Sequence, residues 1–148
     1  MIGVGHQQAI VTLVERKSGY AILAKVRNKT ADLVGRAIID HLQPVAPLVK
    51  TMTFDNGKEF ADHQRIDAAL NSTVYFADPF ASWQRGSNEN FNGLLRQYIP
   101  KKRPLSTVTD NELKMIEKQL NHRPRKRLGF KTPNEVFMQA LKRVALRI

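Results

Sequence analysis

The order of β-rich runs and amphipathic helical runs constrains the fold of this chain more than any other feature of its 148 residues. Two apolar runs, at 9–15 and 20–26, flank a turn at 16–19 and predict a β-hairpin. Apolar residues at three–four spacing then predict a helix that Thr30 can cap. The next predicted elements are a strand at 51–54, a helix at 63–70, a strand at 73–76 and a helix around residue 89. This order predicts a mixed α/β domain.

Two carboxylates stand out because of the elements that carry them. Asp55 directly follows the predicted strand at 51–54 and opens a turn. Glu89 lies on a predicted helix, for which Ser87 is the expected N-cap. At about 100° per residue, the apolar side of this helix lies roughly 140–240° from Glu89. Arg96 falls within about 40° of Glu89 on the opposite side, so a carboxylate and a cation share the exposed face.

Carboxylates supplied by two separate elements suit a divalent metal site. Mg²⁺ takes oxygen ligands, keeps several waters and usually needs only one or two protein carboxylates together with substrate phosphates. The simpler alternative is a turn aspartate at position 55 and a solvated helix glutamate at position 89. Residue types alone do not separate these two interpretations.

Basic residues are concentrated in the last third of the chain. Residues 1–95 carry 10 Lys and Arg against 9 Asp and Glu, whereas residues 96–148 carry 14 against 4. A near-neutral body joined to a basic segment favours a surface that binds a polyanion such as DNA or RNA. The alternative is a basic face that only interacts with solvent.

Composition excludes several other classes of protein. Cysteine is absent, which excludes disulfide frameworks and thiolate metal sites and is compatible with a reducing cytoplasm. No apolar run approaches the roughly 18 residues of a membrane span, and no signal-peptide pattern follows Met1. The four histidines show no metal-ligand spacing. A cytoplasmic protein without a membrane segment is therefore expected.

Two helix-start signals lie in the basic segment. A capping box at 109–112 opens one predicted helix, and a capping box at 132–135 with Pro133 opens another. We therefore predict a core at 1–100 and a basic helical extension at 101–148 that packs on it.

The loop before the Glu89 helix is unusually apolar. It includes Pro79, Phe80 and Trp83, which are predicted to pack against the domain. Stacking of these side chains on DNA is the alternative.

Four stretches of the sequence resemble a known family. The segments TFDNGKEF at 53–60 and WQRGSNENFNGLLRQY at 83–98 closely resemble the catalytic core of bacterial DDE transposases, in the insertion-sequence-thirty family of the retroviral-integrase superfamily. The segments NHRPR at 121–125 and TPNEVF at 132–137 are similar to the C-terminal end of that family. The resemblance spans essentially the whole chain. It implies an RNase H-like fold, which is a mixed sheet flanked by helices, here with a basic helical C-terminal extension.

The resemblance also implies an enzyme and its ligands. Asp55 and Glu89 would be the second and third acids of a catalytic triad that uses Mg²⁺ or Mn²⁺, and Arg96 matches the family's basic residue seven positions after the Glu. The chemistry would be nicking at the ends of a mobile element, followed by attack of the freed 3′-hydroxyl on target DNA. Element-end DNA, target DNA and further copies of the chain would be the partners. The side chains expected to hold phosphates are Arg96, Lys101, Lys102, Arg103, Arg123, Arg125, Lys126 and Arg127.

The first acid of the triad has no match in the sequence. In the family it precedes an apolar-glycine stretch on the first strand, and MIGVG at 1–5 resembles the end of that strand. The first aspartate would therefore lie just upstream of Met1, and the 148 residues alone are expected to be inactive. Two alternatives remain open: a catalytically dead DNA-binding remnant, and a nuclease of the same fold that cuts without strand transfer.

Overall fold

The predicted hairpin forms the centre of the fold. A computed structural model describes residues 8–81 and 86–145 of the chain. Strands β1 (Ala9–Val14) and β2 (Ala21–Val26) pair antiparallel along their whole lengths. The turn between them uses Gly19 in the left-handed region at φ 71°, which a residue with a side chain adopts only under strain. The hairpin prediction is confirmed.

The remaining helices and strands follow the predicted order. Thr30 caps the first helix as expected, because its hydroxyl accepts a 3.3 Å hydrogen bond from the Leu33 N–H. These elements are α1 (Ala31–Leu42), β3 (Thr51–Phe54), α2 (His63–Leu70), β4 (Thr73–Phe76), α3 (Gly86–Leu95), α4 (Asp110–Asn121) and α5 (Pro133–Ala145). Strands β3 and β4 pair in parallel. The mixed α/β fold class is confirmed.

The hairpin lies between two hydrophobic layers. Alternate residues of a strand point to opposite faces. Ile10 and Leu23 therefore pack with α3 and α4 on one face, in a cluster that also includes Leu95. Ala9 and Val11 pack with α1, α2 and β3 on the other face. Because both faces of β1 are buried, the hairpin fixes the position of helices on either side of it.

Helix α4 covers the outer edge of β2 with two polar side chains. Asn121, only 3% exposed, accepts a 2.9 Å hydrogen bond from the Ala21 N–H and donates a 2.8 Å bond to the Ala21 carbonyl. One turn earlier, the Glu117 carboxylate accepts a 2.7 Å bond from the Leu23 N–H. Edge strands otherwise present unpaired backbone groups that invite pairing with another chain. The two side chains satisfy backbone groups that a further strand would use.

Glu117 provides a pH-dependent test of this edge. Burial raises the pKa of the Glu117 carboxyl above its ordinary value of 4.5. A raised folded-state pKa gives a stabilisation that is complete below the unfolded value and is lost as pH rises through the folded value. Glu117→Gln keeps an acceptor for Leu23 but removes the charge. We therefore expect the free energy of unfolding of this variant, relative to wild type, to be higher at pH 7 than at pH 4 in urea titrations.

Glu112 on the same helix supplies a control of opposite sign. Its ion pair with Arg103 lowers the pKa of the Glu112 carboxyl, so its stabilisation is present above the unfolded value and is lost as pH falls. Glu112→Gln should therefore be relatively less stable at pH 7 than at pH 4. Equal pH dependence in the two variants would contradict the inferred burial of Glu117.

The C-terminal helices begin as predicted, with one difference in the capping bonds. Both bonds of the second capping box form: the Thr132 N–H donates to the Glu135 carboxylate at 2.7 Å, and the Glu135 N–H donates to the Thr132 hydroxyl at 3.2 Å. In the first box, Thr109 accepts from the Glu112 N–H, but the Glu112 carboxylate binds a guanidinium instead of returning to Thr109.

These helices contact the hairpin directly. Leu113, Ile116 and Leu120 of α4 belong to the same cluster as Ile10. Helix α5 docks through Phe137, whose ring stacks on Tyr20 with centroids 4.3 Å apart. Helix α4 therefore shares a core with the residues before 101. The proposed division between 1–100 and 101–148 remains a prediction. None of the helices in the described ranges has the length and apolar character needed to cross a bilayer.

Candidate active site

Asp55 lies at the carboxyl edge of the parallel strand pair. The preceding residue, Phe54, is buried and stacks on Phe60 with ring centroids 4.4 Å apart, which anchors the end of β3. The half-buried Asp55 accepts a 3.2 Å hydrogen bond from the Gly57 N–H. This bond holds the carboxylate in the turn that the sequence predicts. Ligands in α/β sheets commonly bind outside the carboxyl ends of the strands.

The neighbouring strand ends at the same edge. The Ala77 N–H donates to the Phe54 carbonyl at 2.8 Å, and the Asn56 side-chain amide donates to the Ala77 carbonyl at 3.0 Å. The chain leaves this edge toward α3, which carries Glu89 in its first turn. Asp55 and the segment leading to Glu89 therefore begin from one edge of the sheet.

Helix α3 is attached to the hairpin by an asparagine next to Glu89. The Asn88 side-chain amide donates to the Thr12 carbonyl at 3.3 Å, and the Thr12 hydroxyl donates to the Asn88 side-chain oxygen at 2.9 Å. Behind this pair, Phe91 and Leu95 are buried. Glu89 itself is exposed, as the periodicity predicts. The two hydrogen bonds fix the first turn of α3 and hence the position of the adjacent glutamate.

The predicted N-cap of this helix is wrong. Helix α3 already includes Gly86, so Ser87 lies inside the helix and is not its cap. A serine before a polar run is a good local cap signal, but the described part of the helix includes two residues, Gly86 and Ser87, that this signal places outside it.

The predicted metal site has suitable donors. Carboxylates are hard oxygen ligands of the kind that Mg²⁺ and Mn²⁺ take. Within residues 8–81 and 86–145, no group of three or more Asp, Glu or His side chains is close enough to hold a metal ion. Asp55 and Glu89 can therefore supply only part of a ligand set, and their approach to each other remains a prediction.

The basic residues near the end of α3 have different surroundings. Arg96, half-buried, donates to the Ile99 carbonyl at 3.4 Å. Lys101 and Lys102 are exposed. Arg103 instead forms a two-point ion pair with Glu112, at 2.7 and 2.8 Å. Its guanidinium thus has an internal partner, which the run of basic letters could not indicate.

The basic turn, which we define as residues 123–127, packs beside the hairpin turn. Arg127 donates a 2.8 Å hydrogen bond to the Lys17 carbonyl, and the half-buried Arg125 donates a 3.3 Å bond to the Leu120 carbonyl. Arg123 and Lys126 are exposed. Two of the four predicted DNA contacts in this turn are therefore held against the domain.

The loop prediction is wrong for Pro79 and Phe80, which are both exposed. The Phe80 ring is 99% exposed, and its backbone has a positive φ of 63°. Ala81, the next residue, is the buried one. Trp83 lies outside the described residues.

Sequence reasoning missed Thr12 and Asn88. A signal was present, because Thr12 is the single polar residue of the otherwise apolar strand β1 and is 4% exposed. A buried hydroxyl needs a hydrogen-bond partner. The pattern of the strand does not reveal that this partner lies 76 positions away.

Comparison with known proteins relates the sequence and the fold of this chain to transposases and integrases. No protein-family model matches the chain. The chain is 47% identical over 141 residues to the transposase for insertion sequence element IS4351 of Bacteroides fragilis, which covers 95% of this chain and 43% of the relative. It is 48% identical over 129 residues to the transposase InsI for insertion sequence element IS30A of Escherichia coli, which covers 86% and 34%. Over these residues the chain is similar to transposases of the IS30 type.

A more distant relative and two solved structures extend this relationship. The putative integrase ORF3 of a Spiroplasma virus is 26% identical over 141 residues. The catalytic core domain of BIV integrase superimposes with a TM-score of 0.66 at 20% identity, covering 93% of this chain and 96% of that domain. A simian T-cell lymphotropic virus intasome gives a TM-score of 0.55 at 20% identity, with 78% and 47% covered. The expected RNase H-like integrase-core fold is confirmed. The chain spans less than half the length of its transposase relatives.

Proposed function

We propose that this chain is the catalytic core of a DDE transposase that cleaves DNA and joins strands during insertion-sequence transposition. One observation carries the proposal. Asp55 and the segment leading to Glu89 leave the same carboxyl edge of a sheet, in a chain with the fold of an integrase core. The similarity over 95% of this chain to the transposase of element IS4351 supports the same conclusion.

In this proposal each acidic residue has a defined task. Asp55 and Glu89 would hold Mg²⁺ or Mn²⁺ through their carboxylate oxygens. The bound metal would supply activation of the attacking oxygen and stabilisation of the leaving oxygen in phosphoryl transfer. The Gly57 N–H orients the Asp55 carboxylate. The Thr12–Asn88 pair orients the turn that carries Glu89.

The basic residues bind the DNA backbone. Arg96, in the turn that follows α3, and the exposed Lys101 and Lys102 would neutralise phosphates. Arg103 contributes less, because Glu112 already pairs with its guanidinium. We propose that the basic turn binds DNA as well, and that several copies of the chain assemble around element-end and target DNA.

The test is a strand-transfer assay with element-end DNA, target DNA and Mg²⁺ or Mn²⁺. We expect the 148 residues alone to be inactive, since only two of the three acids of the triad have a match in the sequence. A form extended upstream through an in-frame aspartate should transfer strands, whereas the same form with that aspartate changed to alanine should not.

Each other outcome assigns a different function. Cleavage without joining by the extended form would identify a nuclease, and binding without cleavage would identify a DNA-binding remnant. Strand transfer by the 148-residue chain at the rate of the extended form would show that another acid completes the site.

A further inference from the structure

A small cavity of about 80 Å³ lies where the hairpin, α3 and the basic turn meet. Its apolar lining includes Val14 and Phe91. Its polar lining is formed by Ser87, Asn90, Arg125 and Arg127. One water needs roughly 10–15 Å³ of such volume. The cavity therefore has room for several water-sized groups, as the oxygens of a phosphate require.

Arg127 is fixed in place on one side of this cavity. Its Nη1 donates to the Lys17 carbonyl at 2.8 Å. Its Nη2 lies directly over Gly19, where an added Cβ would come within 2.5 Å of it. Gly19 therefore serves both the left-handed turn and the approach of the guanidinium. A side chain held in this way loses less conformational freedom when a ligand binds.

Arg125 is held by a closed backbone loop. The Arg125 N–H donates to the Lys131 carbonyl, and the Arg125 carbonyl accepts from the Phe130 N–H, both at 3.0 Å. The Arg125 side chain bonds to the Leu120 carbonyl at the end of α4. The second guanidinium is thus also positioned by the fold.

The cations of this turn are close to one another and to the hairpin turn, but not to a carboxylate partner in the described part of the chain. Among the described residues, no carboxylate forms an ion pair with Arg123, Arg125 or Arg127. Burial lowers the pKa of the Arg125 guanidinium, and the neighbouring Arg123 and Arg127 lower it further. Arginine nevertheless stays charged in proteins. An anion in the cavity would relieve this repulsion.

We propose that this cavity binds a phosphodiester group of the DNA backbone. Guanidinium forks recognise phosphate through paired hydrogen bonds, and the Ser87 hydroxyl and Asn90 amide add donors. At about 100° per residue, Ser87 and Asn90 lie roughly 100–160° around α3 from Glu89. The cavity therefore holds a phosphate away from the reacting one and fixes the path of the DNA. The identity of the ligand rests on the proposed function.

The test separates the contribution of the paired guanidinium hydrogen bonds, which we call the fork, from the contribution of the positive charge. Arg125→Lys and Arg127→Lys keep the charge but lose the fork, whereas Lys126→Ala removes a charge from an exposed residue of the same turn. Affinity of the 148-residue chain for a short DNA duplex is measured by fluorescence anisotropy over a series of salt concentrations without metal. We expect each lysine variant to bind about five- to tenfold more weakly with an unchanged salt slope. Lys126→Ala should lose affinity only to the extent that its salt slope falls.

Wild-type affinity in both lysine variants would overturn the proposal. Unchanged urea midpoints confirm that these variants fold, and Asn90→Ala, at an exposed position of α3, provides an independent variant that should also weaken binding. NMR signals of the arginine Nε–H groups then distinguish the ligands. If inorganic phosphate shifts these signals until they saturate, and added duplex DNA reverses the shift, the two ligands compete for one site. This result supports a backbone-phosphate site. Saturation that DNA does not reverse overturns it in favour of a free phosphate. The binding assay contains no metal and does not require catalysis. A failure of strand transfer would therefore contradict the proposed function without contradicting phosphate binding in this cavity.

Discussion

Replacing Asn121 with alanine is expected to lower the free energy of unfolding by roughly 2–5 kcal/mol. The substitution leaves the Ala21 N–H and carbonyl buried without their side-chain partners. Each unsatisfied buried group costs about 1–3 kcal/mol. Typical domains have only about 5–15 kcal/mol of stability in total, so urea titration should show a large shift of the midpoint.

Asn111→Ala is the matched control, because Asn111 is exposed in the first turn of the same helix. Both variants gain the same helix propensity of alanine over asparagine, about half a kcal/mol. The difference between them therefore reports the edge contact alone. Equal stability of the two variants would show that solvent or backbone rearrangement satisfies Ala21 without Asn121.

Asp55→Asn and Glu89→Gln are each expected to reduce strand transfer by about a thousandfold in the active form of the protein. Loss of a metal-binding carboxylate removes several kcal/mol of transition-state stabilisation, and about 1.4 kcal/mol corresponds to a tenfold change in rate. An amide oxygen at position 55 can still accept the Gly57 N–H, and position 89 is exposed, so folding should be preserved. The measurement is the rate of joined-product formation at saturating DNA.

Asp110→Asn is the control for charge at a helix start, because Asp110 is an exposed acid in the first turn of α4. It should transfer strands like wild type. DNA affinity without metal should stay the same or rise slightly in the Asp55 and Glu89 variants, because a negative charge is removed. Activity within tenfold of wild type in either variant would remove that residue from the metal site.

Local sequence signals predicted the elements of this fold well. The turn at 16–19, the Thr30 cap and the capping box at 132–135 each depend on residues within a few positions of one another. Such contacts leave a readable pattern of residue types. The position of Asp55 at a strand end also follows from its neighbours in the chain.

Contacts between distant segments could not be predicted in the same way. Asn88 bonds to Thr12 across 76 positions, and Asn121 bonds to Ala21 across 100. Asparagine is also a common surface residue, so the residue type alone does not reveal these two contacts. Only the packed structure shows them. The same reason explains the errors at Phe80, an exposed aromatic residue, and the unforeseen internal partner of Arg103. Approach of Asp55 to Glu89 is a prediction of this long-range kind.

Because α4 covers the edge of β2, the hairpin can pair with a further strand only at the edge of β1. Asn121 and Glu117 occupy backbone groups of Ala21 and Leu23 through which a new strand would pair. On the other side, β1 has both faces buried, which is typical of an interior strand, yet within the described residues it pairs only with β2. Any strand that joins this hairpin, whether from the same chain or from another copy, must therefore add beside β1. Association through the β2 edge would first require α4 to detach.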